Sequence, residues 1–175
     1  IADAKAEIFG GMDEAGVAIL HRDSPHYDRL AAAAKKSGVR RIVGFGVSAE
    51  AEARLIEHKP GNDYDEIRAV IFGQEITYRL GLTGHHWAIN SLSVLAAVDA
   101  LGGNFLRAAA SLATLKPLIG RGMRHSVAVE GGSFEIIDES YNASPEAMRS
   151  AFSVLAQRIP GPNGRRIAVL GDMLE

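Results

Sequence analysis

The first 46 residues alternate between short apolar runs and a helical segment, and this alternation limits the fold more than any other feature. Val17–Leu20 and Ile42–Gly46 each have the length and apolar content of a buried strand. Between them, Asp23-Ser24-Pro25 has the residues that begin a helix, and Gly38 has the position that ends it. Two strands joined through a helix pair in parallel with a right-handed crossover. The sequence therefore predicts an α/β fold.

A hairpin pattern follows this unit. Arg54–Glu57 predicts a third strand, and Ile67–Phe72 and Glu75–Leu80 predict two more. The last two flank Gly73-Gln74, which is a two-residue hairpin signal. Antiparallel hairpins are often added to parallel sheets. We therefore expect a mixed, mainly parallel central sheet that carries an antiparallel hairpin.

The next part of the chain is helical and ends at a linker. His85–Leu101 predicts one long helix, and Asn104 has the position of a cap for a second helix. Lys116–Gly120 then combines proline and glycine in a segment typical of a linker. The sequence therefore predicts two units, residues 1–116 and residues 117–175.

The second unit contains further strand and helix patterns. Its predicted elements are two strands joined by a glycine turn, then a helix and a final strand, namely Ser126–Val129, Gly131-Gly132, Phe134–Ile137, Pro145–Arg158 and Arg166–Leu170.

Composition and motif searches exclude several classes of function. The formal net charge of −2 gives no general attraction to nucleic acid, and no apolar run is long enough to span a bilayer. The absence of cysteine excludes disulfides, thiolate metal sites and a cysteine nucleophile. The sequence has no GxxxxGK[ST] loop, no GxGxxG after a strand and no HExxH. We therefore expect no nucleic-acid partner and no membrane insertion.

The polar loop after Ile137 is the main candidate site. Asp138 and Asn142 follow a predicted strand and precede a helix that Ser144 can cap. Ligands of open α/β sheets bind at the carboxyl ends of strands. An ordinary turn, in which these polar side chains only satisfy backbone groups, explains the local pattern equally well.

Three further residues have a functional and a plain interpretation. Asn90 could read a base edge with its amide, Arg121 could bind a phosphate from a flexible linker, and Lys5 could hold a metal ion if carbamylated. Each could also be an ordinary exposed side chain, and taken one by one this plain interpretation is the more frequent.

The order of these segments resembles one protein family. Ala4–Phe9 reads AKAEIF, Gly84–Ala97 begins with G-x-H-x-x-x-N, and Ile136–Met148 reads IIDESYNASPEAM. With the glycine-flanked Arg121 and the closing RIAVLGDMLE, the chain resembles the Mur ligases along nearly its whole length. The resemblance implies that residues 1–116 are part of a central ATP-binding domain. Residues 117–175 would start a Rossmann-like α/β C-terminal domain.

The resemblance also implies an activity. Such enzymes use ATP and Mg²⁺ to convert a carboxylate into an acyl phosphate, which an amine then attacks. Here the partners would be UDP-MurNAc-tripeptide and D-alanyl-D-alanine, in the cytoplasm, with the enzyme a monomer. The family's phosphate-binding loop and N-terminal domain would precede Ile1, and the end of its C-terminal domain would follow Glu175. We therefore expect a piece of a longer protein that is inactive alone.

Roles for single residues follow from the same resemblance. Lys5 would be the carbamylated lysine that holds a second Mg²⁺, Asn90 would read the adenine, and Arg121 would reach the nucleotide phosphates. Asp138 would meet the ribose with Asn142 beside it, although the acid pair leaves Asp138 or Glu139 open for this role.

Two other functions remain as alternatives. One, of the same class, is a sibling ligase, such as another Mur ligase or a folylpolyglutamate synthase-like enzyme, which an assay with alternative amines would distinguish. The other is a non-catalytic nucleotide-binding domain, which a longer chain without a GKT-type loop would favour.

Overall fold

Five strands form one mixed sheet in the order in which they occur along the chain. The structure is a computed structural model that describes residues 1–173. The strands are β1 Val17–His21, β2 Arg41–Gly46, β3 Ala53–Lys59, β4 Asp65–Ile71 and β5 Gln74–Leu80. Strand pairs β1–β2 and β2–β3 are parallel, whereas β3–β4 and β4–β5 are antiparallel. Only β4 therefore runs against the others, which confirms the mixed, mainly parallel sheet with its antiparallel hairpin.

Helices cover both faces of this sheet. The helices of the described residues are α1 Ala2–Ala6, α2 Tyr27–Lys36, α3 His85–Ala100, α4 Phe105–Ser111 and α5 Pro145–Ala156, with 3₁₀ segments at Glu7–Gly11 and Leu112–Thr114. Of these, α2 packs on one face of the sheet and α3 on the other, whereas α5 follows the second sheet. Strand β1 shows how alternation separates the two faces. Ala18 and Leu20 join the core beneath α2, whereas Val17 and Ile19 pack against the core beneath α3.

Helix α3 supplies the main hydrophobic contact with the sheet. Ala88, Leu92, Leu95 and Ala96 are fully buried at spacings of three and four residues. They join Ile67 and other residues of β4 in one core. Burial of each leucine contributes about 1.5–3 kcal/mol, so this face fixes the helix on the sheet.

The hairpin turn lies one residue earlier than predicted. Ile71 pairs with Gln74, so the loop is Phe72-Gly73 and not Gly73-Gln74. Both loop residues have positive φ angles, 49° and 85°, as a type I′ turn requires. Phe72 packs against the core, and its N–H donates to the Glu52 carbonyl at 2.8 Å. These contacts offset the cost of a left-handed conformation at a residue other than glycine.

A separate two-stranded sheet follows the linker. Strands β6, Met123–Val129, and β7, Gly132–Asp138, pair in register with Val129 opposite Gly132. The loop is therefore Glu130-Gly131, one residue before the predicted Gly131-Gly132. Helix α5 then follows β7, as predicted. The division into residues 1–116 and residues 117–175 stays a prediction.

The predicted final strand is wrong. Arg166–Leu170 has no strand pairing, and Val169 is 94% exposed. A strand exists only where a neighbouring backbone accepts its hydrogen bonds, and none of the strands found in residues 1–173 lies beside it. The last two residues of the RIAVLGDMLE motif, Leu174 and Glu175, lie outside the described residues. Through residue 173, no helix combines the length and apolar character that crossing a membrane requires.

A buried hydrogen-bond chain ties β5 to α3. The Ser91 hydroxyl donates to the Ala88 carbonyl at 2.7 Å, so the Tyr78 hydroxyl is the donor in its 2.6 Å bond to Ser91 Oγ. Burial raises the pKa of Tyr78 to about 12, although the bond to Ser91 opposes part of this change. The phenol therefore stays protonated at physiological pH.

Tyr78→Phe tests this bond. Removal of the hydroxyl takes away one buried donor but leaves Ser91 bonded to Ala88. We expect the free energy of unfolding to fall by about 1 kcal/mol. Urea denaturation measures the change, with Tyr64→Phe at an exposed position as the control, where the change should stay within about 0.5 kcal/mol. Equal effects of the two substitutions would contradict the assignment.

Candidate functional site

The linker before β6 and the loop after β7 lie side by side and form the centre of the candidate site. The Gly122 N–H donates to the Asp138 carbonyl at 2.8 Å, and the Tyr141 N–H donates to the Gly120 carbonyl at 3.1 Å. These backbone bonds join two segments that sequence analysis considered separately. The structure therefore brings Arg121 and Asp138 together.

Gly120 makes this close approach of the two loops possible. Its φ angle is 75°, a conformation that side chains with a Cβ rarely adopt. A Cβ at Gly120 would also lie 2.9 Å from the Tyr141 backbone nitrogen. The glycine before Arg121 is thus required by the packing of the loop after β7.

The Asp138 carboxylate is engaged with backbone groups. Oδ2 accepts from the Gly120 N–H at 3.1 Å, and Oδ1 accepts from the Ser140 N–H at 3.0 Å. Hydrogen bonds from Ser140, followed by that from Gly120 and the nearby His125, lower the pKa of Asp138, although desolvation opposes them. Asp138 is therefore ionised at neutral pH and holds the two loops in contact.

Glu139 and Arg121 lie next to this backbone contact. The Arg121 guanidinium stacks on the Tyr141 ring at 4.2 Å from the centroid. Partial desolvation by neighbouring atoms and the Asp138 charge raise the pKa of Glu139, and the Arg121 charge lowers it in part. The exposed Arg121 guanidinium and the exposed Glu139 carboxylate thus lie close together beside the linker.

Asn142 lies in the same loop, close to the start of α5. Its side chain is exposed and makes no hydrogen bond to any described residue. Ser144 caps α5 as predicted, because its Oγ accepts from the Ala147 N–H at 3.2 Å. The loop is therefore fixed at both ends, while the amide of Asn142 faces solvent.

Asn90 lies on α3, as predicted, with its side chain exposed. His86, four residues earlier, lies on the same face and is half-buried. No hydrogen bond within residues 1–173 joins Asn90 to Arg121 or Asp138. The structure thus places the amide on α3 and the charged pair beside the linker.

Lys5 lies on α1 with an exposed side chain. Its neighbour Asp3 is paired with Arg29 at 2.5 Å, which ties α1 to α2. The described residues contain no group of three or more His, Asp or Glu side chains that could hold a metal ion. Since Mg²⁺ requires about six oxygen ligands, these residues could supply only part of its coordination, with a carbamate on Lys5 as one contributor.

Sequence analysis missed a buried acid beside α3. Asp65 is 0% exposed, and its carboxylate binds His58 at 2.6 Å and the Gly84 N–H at 2.8 Å. The signal was present in the pattern of β4, because Asp65 shares the inward-facing parity of Ile67 and Ala69. A charged residue at such a position requires buried partners.

Two residues that follow the linker make contacts beside this acid. The Arg124 guanidinium donates to Thr83 Oγ1 at 2.8 Å and to the Asn62 carbonyl. Val154 of α5 is buried, and its side chain lies against Gly84 at the start of α3. Arg124 and Val154 therefore contact the residues that immediately precede and begin the helix carrying Asn90.

Comparison with known proteins gives relatives along the whole chain. Over 175 residues the chain is 30% identical to the UDP-N-acetylmuramoyl-tripeptide–D-alanyl-D-alanine ligase of Rickettsia prowazekii, of which it covers 37%. It is also 30% identical over 175 residues to the ligase of the same name from Bacillus subtilis, of which it covers 35%. The chain thus spans about a third of the length of these relatives.

Solved structures of MurF also match most of this chain, and the chain again covers about a third of each. MurF from Acinetobacter baumannii matches with a TM-score of 0.77 at 25% identity, over 90% of this chain and 33% of that chain. MurF from Thermotoga maritima in complex with ADP matches in fold with a TM-score of 0.70 at 23% identity, over 90% of this chain and 34% of that chain.

The family description of the Mur ligase middle domain matches residues 1–98, which is more than half of the 175 residues. This match confirms the resemblance found in the sequence: the chain belongs to the Mur ligase family.

Proposed function

We propose that the chain is a segment of an ATP-dependent ligase that joins D-alanyl-D-alanine to UDP-MurNAc-tripeptide in peptidoglycan precursor synthesis. The tripeptide carboxylate would attack the γ-phosphate of ATP and release ADP, forming an acyl phosphate. The amine of D-alanyl-D-alanine would then attack the acyl carbon, and inorganic phosphate would leave.

The observation that carries this proposal is the pairing of the linker with the loop after β7. The Asp138 carboxylate accepts hydrogen bonds from Gly120 and Ser140. These bonds keep Arg121 and Glu139 close together, after a strand and before a helix. A fixed cation and carboxylate there suit the phosphates and the sugar of a nucleotide. The relatives named for this reaction align across both units, which supports the same activity.

Two units would bind one nucleotide from two sides. The central unit, residues 1–116, would contact the adenine through the Asn90 amide, which donates and accepts in one plane. The start of the C-terminal unit, residues 117–175, would contribute Arg121 to the phosphates. The contact of Arg124 with Thr83 supports a defined arrangement of the two units. Their closure would exclude water from the acyl phosphate.

Glu139 is the better candidate for the ribose contact. Both oxygens of Asp138 already accept backbone N–H groups, so this carboxylate is engaged within the loops. Glu139 is exposed, makes no hydrogen bond to a described residue and lies beside Arg121. Asp138 would then position the loop, and Asn142 would assist at its exposed edge.

Lys5 would complete a Mg²⁺ site together with groups beyond those described. Carbamylation converts its ammonium into an oxygen ligand that a hard cation accepts. When bound, Mg²⁺ would neutralise charge on the transferring phosphoryl group. The ligase would act as a monomer in the cytoplasm, where ATP is available.

The activity can be assayed directly in the full-length protein. We expect phosphate release that requires ATP, UDP-MurNAc-tripeptide and D-alanyl-D-alanine together. Residues 1–175 contain no GxxxxGK[ST] loop and should show no turnover alone. Substitution of glutamate, lysine or diaminopimelate for D-alanyl-D-alanine is the control. Equal turnover with one of these amines would instead favour a sibling ligase.

Lys5→Ala tests the carbamate role in the full-length enzyme. Loss of one metal ligand should lower kcat by at least about tenfold. Short carboxylic acids such as acetate should restore part of the activity, because they supply the missing oxygen. Lys36→Ala, an exposed lysine at the end of α2, is the control and should retain full activity. A folded Lys5→Ala enzyme that no carboxylic acid rescues would exclude the carbamate.

Paired substitutions separate the two acids of the loop. Glu139→Gln should raise the KM for ATP about tenfold, because it weakens one charged hydrogen bond, and should leave the melting temperature unchanged. Asp138→Asn should lower the melting temperature, because it weakens acceptance from Gly120 and Ser140. Steady-state kinetics and thermal melts measure both. If instead Asp138→Asn raised the KM for ATP and Glu139→Gln lowered the melting temperature, Asp138 would be the residue that contacts the ribose.

A further inference from the structure

Asp65 is a buried carboxylate that the proposed reaction does not use. It lies at the start of β4 and is 0% exposed. Its two oxygens accept from the Gly61 N–H at 3.0 Å and from the Gly84 N–H at 2.8 Å, and Oδ2 also lies 2.6 Å from His58 Nε2. A buried carboxylate without such partners is strongly unfavourable. The arrangement is therefore a fully satisfied polar network within the core.

The balance of charges keeps Asp65 ionised. Burial alone would raise the pKa of Asp65, but the hydrogen bonds from His58, Gly84 and Gly61 outweigh it and leave the pKa below its usual value. His58 Nε2 is therefore a donor in this pair at neutral pH. A negative charge also suits this location, because it lies at the N-terminus of α3.

The N-cap residue of α3 lacks a capping side chain, and an acid on another element accepts its backbone N–H instead. Gly84 is the N-cap of α3 and has a φ angle of 126°, so it can offer no capping side chain. A Cβ there would lie 3.0 Å from the His86 ring and 3.1 Å from Val154. Asp65, on a different element, accepts the N–H of this residue instead. The start of α3 is thus fixed to β4 through one carboxylate.

The same carboxylate is bonded to the neighbours of the residues that Arg124 contacts. Gly61 and Gly84, which donate to Asp65, immediately precede and follow the residues that accept from Arg124, namely Asn62 and Thr83. Any displacement of the two glycines would therefore move the surface on which Arg124 rests. His85 also lies against His58, with ring centroids 5.6 Å apart.

We propose that Asp65 and His58 form a positioning pair that fixes the start of α3. The pair thereby positions Asn90, which would face the adenine, and the residues that accept hydrogen bonds from Arg124. This inference rests on the proposed function, since it assumes that Asn90 contacts the nucleotide. The pair touches neither substrate nor reacting atoms in this role. It sets the affinity for ATP and leaves the chemical step unchanged.

Substitutions of His58 test the pair while Asp65 is retained. His58→Leu removes the donor, whereas His58→Gln keeps an N–H group that can reach the carboxylate. In the full-length ligase, we expect His58→Leu to raise the KM for ATP about tenfold. Its kcat and its KM for UDP-MurNAc-tripeptide should stay within about twofold of wild type. His58→Gln should recover most of the ATP affinity, and His26→Leu, at an exposed position, should have no effect.

Amide hydrogen exchange gives a second readout at the atoms involved. The Gly84 N–H should exchange about tenfold faster in His58→Leu than in wild type, with core amides of β4 unchanged. Uniformly faster exchange would indicate loss of stability and would overturn a positioning role. An unchanged KM for ATP in folded His58→Leu, or a fall in kcat alone, would also overturn it. A wild-type enzyme without ATP-dependent ligation would contradict the proposed function instead.

Discussion

The packing of α3 on the central sheet is the interaction on which the rest of the structure depends. Its buried face is formed by Ala88, Leu92, Leu95 and Ala96, and it covers the strands of the sheet from one side. The helix is tied to β5 by the Tyr78–Ser91 bond and to β4 by the Asp65–Gly84 bond. Because both ties lie in its N-terminal half, they fix the first turns, which carry Asn90 and begin beside the residues that Arg124 and Val154 contact.

The part of the chain after the linker depends on a smaller set of polar contacts. Asp138 holds the linker to the loop after β7, and Gly120 allows the two backbones to approach. Arg124 and Val154 then place this assembly against the start of α3. Few large apolar side chains are buried after the linker, so the contact of this part of the chain with the start of α3 relies largely on hydrogen bonds and charge.

Local patterns predicted most of the elements but not their exact turns. The strand–helix–strand unit, the long helix and the cap at Ser144 were readable from the sequence, because apolar spacing and capping residues act within a few positions. The first hairpin turn was predicted at Gly73-Gln74 and lies at Phe72-Gly73, because Phe72 packs against the core. Arg166–Leu170 was predicted as a strand from its apolar run, but strand formation depends on a partner that local pattern cannot reveal.

The candidate site shows the same limit. The sequence pointed to Arg121 and Asp138 separately, and only the structure joins them through Gly120. The network around Asp65 was missed because His58, Gly61 and Gly84 converge from three places in the chain. The motifs identified the loops from the sequence, because each motif lies within a few residues. The hydrogen bonds of Asp138 to backbone groups could not be predicted, because they depend on how the linker and the loop pack in the fold.

A crystal structure of the full-length protein with ADP and Mg²⁺ tests the central claim, that two units hold one nucleotide between them. The account predicts the adenine against the Asn90 amide, the diphosphate within reach of Arg121, and the ribose next to Glu139. A nucleotide bound away from Asn90, or one that contacts only a single unit, would contradict it.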